Sequence, residues 1–332
     1  MKPITENIIE ESDIELFKKI RNIWIQCLTG KHKNSISNQL YSLSWNINSY
    51  RIINESRIYA SKNEKGELKQ NAMLHILIDN LFFENTLLKI RNLTDSSYPL
   101  DSGKIENNKD VYSIISLLND MKKHSKYMTR GNLFEVEDIE YDQSIINDKK
   151  KRFMQENGKQ MKFIPKECSA LYNISRHKQI DKLCGNDISI RAKNNTINSD
   201  IFQKLIDGIK SKSTVIKTIV DQQIAHASTP IKDQNLFNSI SIKKIVDIYI
   251  VIGIVSNFLQ DFILNRGITL NQYSLTPHFD LFEYLDEPLI QTENLHKLTE
   301  KWNACQEDLN NHEVQILKDN LNVNDFLKKV FA

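Results

Sequence analysis

The sequence predicts an all-α protein: a helical bundle with an irregular insertion and a short helical tail. Three observations carry this. Chain breakers are scarce, with nine glycines and six prolines among 332 residues, where ordinary usage would give about 40. Sandwiches, barrels and Gly-rich nucleotide loops all need more of them. Apolar residues recur at three- and four-residue spacing over long stretches, the period of one helix face. The chain is also 40% hydrophobic and 26% charged, enough apolar material for a sizeable core. At this length the domain prior is roughly two.

The first helix is expected over about 12–29. Ser12 and Glu15 fit a capping box, and Ile14, Phe17, Ile20, Ile23, Trp24, Cys27 and Leu28 form one apolar face closed by Gly30. A second helix is expected over 35–61, with Ile36, Leu40, Leu43, Ile47, Tyr50, Asn54 and Ile58 as its inner stripe. A third, over 67–94, carries Leu74, Leu77, Ile78, Leu81, Phe82, Leu88 and Leu93. It is apolar around much of its circumference, which predicts a central place in the fold. A short helix follows over 110–124, with Asp110 as cap. These segments form a first unit, 1–124.

The span 125–198 reads as a variable insertion. A polar helix is expected at 141–158, its Asp148–Arg152 charge run forming a solvated face or a contact for RNA. Little regular structure is expected over 159–198, and Arg176-His177 is placed at the surface. The bundle resumes over 199–270 with a helix at 199–210, a break at Lys210–Ser213, a helix at 214–228 ending before Pro230, and a long apolar helix at 241–265 capped by Ser241. The β-branched run from Ile245 to Val255 would also suit a buried strand, but its length and the lack of a partner strand favour helix. Asp247, Asn257 and Asp261 interrupt it before it reaches the roughly 20 apolar residues of a membrane span. Two or three short helices are expected in the tail, 271–332, one of them over Val323–Phe331. Trp24, Trp45 and Trp302 read as core aromatics.

Lys plus Arg number 44 and Asp plus Glu 42, a net charge of +2. Such a balance exerts no global pull on nucleic acid or membrane. Cys27, Cys168, Cys184 and Cys305 are scattered, with no CxxC pair, as expected of reduced thiols in the cytoplasm. Met1–Glu6 runs straight into an amphipathic stretch, so no signal peptide is expected. No zincin, P-loop or nucleophile-elbow motif occurs, and no metal or cofactor is expected.

One word stands out: Thr218-Ile-Val-Asp221-Gln222-Gln223-Ile-Ala-His226-Ala227. Small neighbours leave the His226 imidazole accessible, and Gln222 and Gln223 share its helix face. An imidazole so placed can transfer a proton near neutral pH. The alternative is a partly buried histidine that bonds a neighbouring carbonyl. His75 reads as a core residue, and Arg91 as an ion-pair partner of Asp95 or Asp79 unless it serves a site.

Two stretches resemble the HEPN superfamily, specifically the HEPN proteins of bacterial abortive-infection systems. Phe82–Asp95, ending Arg91-Asn-Leu-Thr-Asp95 and followed by Ser113-Ile-Ile-Ser-Leu-Leu118, is similar to the family's long helix ending in Arg-x-Leu-x-Asp and its SI-x-x-LL helix. Asp221–His226 is similar to its Ala-His word, and the order of elements agrees over about 35–265. The resemblance implies an all-α homodimer that brings two His-bearing helices together, often a metal-independent ribonuclease in defence or toxin systems, with a partner such as an antitoxin. It implies His226 as the proton-transfer residue, Asp221 and Gln222 as positioning residues and Arg91 as a phosphate contact. The chain departs from the family where an Arg precedes the His by four to six residues: Ile219, Val220 and Asp221 stand there. Loss of one preorganised donor costs roughly 3–4 kcal/mol at a transition state. A non-catalytic scaffold that binds RNA, a nucleotide or a protein therefore stays open beside the enzyme, as does an unrelated helical protein.

Overall fold

The computed structural model describes residues 12–66, 72–96, 100, 112–157, 169–184, 191–221, 240–264, 277, 280, 282 and 292–317. Ten α-helices account for most of them: α1 (Asp13–Thr29), α2 (Ile36–Tyr59), α3 (Ala72–Thr94), α4 (Ile114–Lys123), α5 (Arg130–Glu135), α6 (Gln143–Asn157), α7 (Ala170–Cys184), α8 (Asp200–Ile219), α9 (Ile242–Leu264) and α10 (Leu295–Leu317). No β-strand occurs among the described residues; Thr129 and Thr196 form an isolated bridge. The fold is all-α, as expected.

Hydroxyl caps set the helix starts. Ser12, Ser35, Ser113 and Thr129 each accept the amide three residues on, as does Ser241 from Lys244. Each satisfies one of the amides that a first turn leaves without an intrahelical partner. Ser113 caps α4; the expected cap, Asp110, lies outside the described residues. Gly30 does end α1, but at φ −57° rather than in a left-handed turn. A Cβ there would come within 2.4 Å of the Gln26 carbonyl oxygen, so the glycine serves a close approach.

The central helix is α9, which packs against α1, α2, α3, α8 and α10. Its β-branched run is buried on nearly every side. The expectation that α3 would hold that place is corrected. Phe82, Leu87, Ile90 and Leu93 face the core, but Leu74, Ile76, Leu77, Leu81 and Leu88 are exposed. Neighbours α2, α4 and α8 reach α3 without enclosing it.

Three further expectations are corrected. Helix α8 is continuous through Lys210–Ser213, because Ser213 and Thr214 direct their hydroxyls to the carbonyls of Ile209 and Lys210, 2.8 and 2.7 Å away. Satisfied within the helix, these side chains do not compete with it. Residues 170–184 form α7 instead of irregular chain. Among the described residues the tail holds a 3-10 turn at Thr292–Asn294 and a 23-residue helix, α10, longer than the short helices expected; it docks on α2 through Trp302 against Trp45 (ring centroids 6.1 Å apart) and Arg51–Asp308 at 3.6 Å. Val323–Phe331 lies outside the described residues.

Helix α7 was hidden because its inner face is half polar. Its buried positions Asn173, Arg176, His177, Ile180, Leu183 and Cys184 keep helical spacing, but three of the six carry polar or charged groups. Arg176-His177, expected at the surface, is thus inside. Arg176 pairs with Glu137, their side chains 0% and 2% exposed, and donates to the Phe262 carbonyl of α9 at 3.1 Å. Arg130 pairs with Asp181 at 2.6 Å and donates to His177 Nδ1 at 3.0 Å if that nitrogen carries no proton. His177 Nε2–H then donates to the Tyr141 carbonyl at 3.2 Å.

Burial, with Arg130 and Arg191 nearby, pushes the His177 pKa below its ordinary value, and burial with Arg57 does the same for His75. A lowered pKa means the unfolded chain binds more protons once the pH falls below about 6.5. Stability is therefore full above that pH and is lost as the pH falls below it. Thermal unfolding should show a melting temperature that drops from pH 7.5 to 5.5, with a shallower drop in His177→Gln. An unchanged slope in the variant would remove His177 from this account.

Candidate functional site

Arg91 sits in the last turn of α3, and Asp95 one turn beyond it. The guanidinium donates from Nη1 to Asp95 Oδ2 at 2.6 Å and from Nε to Asp221 Oδ1 at 2.9 Å. Residues 130 positions apart thus meet in one ion-pair cluster. The Asp95 carbonyl accepts the hydroxyls of Ser113 and Ser116, the latter at 3.2 Å. The end of α3, the start of α4 and the end of α8 are tied together at a single point. Asp221 lies where the α8 backbone widens into π geometry at Val220–Asp221, a distortion often found at functional sites.

The side chains of Arg91, Asp95 and Asp221 are 25%, 6% and 34% exposed. The hydrogen bond that Arg91 donates to Asp221, together with the Asp95 charge, raises the Arg91 pKa against the opposing effect of burial. Two carboxylates thus share the Arg91 guanidinium. The arrangement anchors the chain at Asp221, the more exposed of the two carboxylates on Arg91. Gln222 and His226 themselves lie outside the described residues. The structure therefore brings Arg91 and Asp221 together.

Of the two partners the sequence suggested for Arg91 in a structural role, Asp95 is one; Asp79 belongs elsewhere. Asp79 binds Arg57 (3.1 Å from Nη1) and the Tyr50 hydroxyl (2.7 Å), while Arg57 Nε donates to His75 Nδ1 at 3.1 Å. His75 is buried, as expected of a core residue. The Arg130–His177–Asp181 and Arg176–Glu137 groups escaped sequence reasoning, although the six-position spacing in α7 could have revealed them. Lys149 and Lys151 of the α6 charge run pair on the surface with Glu140 and Asp148. Among the described residues no group of three or more His, Cys, Asp or Glu is placed to hold a metal ion, and no helix is long and apolar enough to cross a membrane.

The fold and this cluster define the chain as an all-helical bundle with a charge-clamped junction of three helices. Comparison with family models, with curated proteins and with solved structures found no match.

Proposed function

We propose that this chain is a HEPN-like protein that acts on RNA in the cytoplasm as a homodimeric, metal-independent endoribonuclease, in a defence or toxin role. The observation that supports this reading is the 2.9 Å contact between Arg91 and Asp221. It joins the two words on which the family resemblance rests and fixes the chain five residues before His226. In this chemistry the 2′-hydroxyl attacks the adjacent phosphorus, a 2′,3′-cyclic phosphate forms and the bond to the 5′-oxygen breaks. His226 transfers the proton, Asp221 and Gln222 position the segment, and Arg91 contacts the phosphate once Asp221 yields it. Cys27, Cys184 and Cys305 are free and buried, in keeping with a reducing compartment.

A second reading has its own support. With Asp95 and Asp221 both on Arg91, and Asp221 standing where the family carries Arg, the junction is short of positive charge. A non-catalytic scaffold that binds RNA, a nucleotide or a protein partner such as an antitoxin fits that deficit.

Incubating the purified chain with labelled single-stranded RNA in EDTA separates the two. On the first reading wild type cleaves, 2′-deoxy substrates resist, and His226→Ala slows cleavage by about 10²- to 10⁴-fold. Cleavage that survives the substitution removes His226 from the mechanism. Binding without cleavage selects the scaffold. Neither binding nor cleavage ends the RNA reading.

A further inference from the structure

Lys89 has no role in the preceding account. It stands half-buried in the second half of α3, and its Nζ donates to the Ser42 hydroxyl of α2 at 2.6 Å. An ammonium drawn out of water is costly unless an anion faces it. Lys18, Lys149 and Lys301 each pair with a carboxylate, but among the described residues no acid pairs with Lys89. Burial alone acts on its pKa, and lowers it. The side chains beside this pair are apolar and open to solvent. Tyr41, the residue before Ser42, is 43% exposed. Its ring stands edge-on to Trp45, with centroids 6.5 Å apart, and Trp45 in turn meets Trp302 of α10. Trp45 lies three residues beyond Ser42, on the same side of α2, so the open tyrosine ring leans on a residue that borders the Ser42–Lys89 pair. Leu88, 41% exposed, adds apolar surface next to the cation.

We infer that Lys89, Ser42 and Tyr41 form a binding site for a nucleoside phosphate. The phosphate lies on the ammonium and the hydroxyl, and the base stacks on the exposed tyrosine ring. Each part of the site answers one part of this ligand. The cation has no anion of its own, and a phosphate oxygen supplies one. The Ser42 oxygen accepts from Lys89 and keeps its own proton to donate to the same phosphate. The Tyr41 ring is backed by two tryptophans, and an aromatic face of this kind takes any base by stacking. A cation for the backbone beside a ring for the base is how single strands are held without sequence preference. A free nucleotide offers the same chemistry. The site is separate from the Arg91–Asp221 cluster. Lys89 and Arg91 are two residues apart, hence about 200° around α3, and Lys89 faces α2 while Arg91 faces α8. Binding here needs neither His226 nor Arg91, so this inference and the proposed function fail separately.

The test titrates the purified chain with three probes: a labelled single-stranded deoxyadenosine octamer by fluorescence anisotropy, and adenosine monophosphate and inorganic phosphate by calorimetry. The deoxy strand lacks the 2′-hydroxyl that cleavage requires, so binding is read without turnover. Lys89→Met and Tyr41→Leu are each expected to weaken binding of the octamer or the nucleotide by about 10-fold or more. Circular dichroism controls folding, and Lys89→Met is expected to keep or raise the melting temperature, because it removes a half-buried charge that no acid balances. An octamer bound about 10-fold or more tighter than the nucleotide assigns the site to strands; equal affinity assigns it to free nucleotides. Three results overturn the inference: neither octamer nor nucleotide binds, inorganic phosphate binds as well as the nucleotide, or either variant binds like wild type. If a variant does not fold, wild type irradiated with an octamer carrying 5-iodo-deoxyuridine decides. An adduct on Tyr41 supports the inference, and adducts only elsewhere overturn it.

Discussion

Arg176→Met is expected to cost about 3–5 kcal/mol of folding free energy, because it removes the direct ion-pair partner of a buried carboxylate. The Arg176 side chain is fully buried and Glu137 is 2% exposed. Taking both charges out of water is unfavourable, and burial alone drives the Arg176 pKa down, with Glu137 opposing it. Mutual attraction and the hydrogen bond to the Phe262 carbonyl offset that penalty. Methionine fills similar volume but removes the guanidinium paired directly with Glu137, leaving Arg21 as a cation that still acts on it. The double variant Arg176→Met/Glu137→Leu removes both charges and should recover most of the loss, since apolar replacement of a whole buried pair is often neutral. Urea titration followed by circular dichroism measures both. A loss below about 1 kcal/mol in the single variant would mean that water reaches Glu137.

Trp24→Ala is expected to cost a further-reaching 3–5 kcal/mol or so, the usual range for deleting a fully buried tryptophan. Trp24 is 1% exposed in α1, and its Nε1–H donates to Asp120 Oδ2 of α4 at 2.7 Å. Its ring also meets Phe17 edge-on, with centroids 6.2 Å apart. The substitution therefore opens a cavity between two helices and removes one donor from a buried carboxylate. Trp24→Phe separates these effects. It keeps much of the volume and loses the hydrogen bond, for which about 1.5–3 kcal/mol is expected. Equal losses in the two variants would show that the bond, rather than packing, dominates.

The site was half legible. The Asp221 word attracts attention in the sequence because polar residues interrupt apolar periodicity there, Arg91 only through the family resemblance, and the structure brings Arg91 and Asp221 into contact. The sequence offered two acids as structural partners of Arg91, one of them correctly. Asp95 is a helical neighbour four residues on, so it could be named from spacing alone. Asp221 pairs with Arg91 because α3 and α8 lie side by side, and no local pattern reports that.

Local physics determined a great deal by itself. Scarce breakers, hydroxyl caps at Ser12 and Ser241, and apolar stripes at helical spacing were enough for the all-α class and for the bounds of α1, α2, α6 and α9 within a few residues. Such signals act over four or five residues and are written in adjacent positions. Tertiary structure alone decided which apolar helix lies at the centre. α3 is apolar around much of its circumference and the Ile/Val-rich α9 more so, but only packing puts neighbours on nearly every side of α9 and leaves one side of α3 open. It also decided that α7 could turn Arg176 and His177 inward. A charge inside a protein is tolerable only where a partner is waiting, and Glu137 and the Phe262 carbonyl, which hold Arg176, come from other parts of the chain.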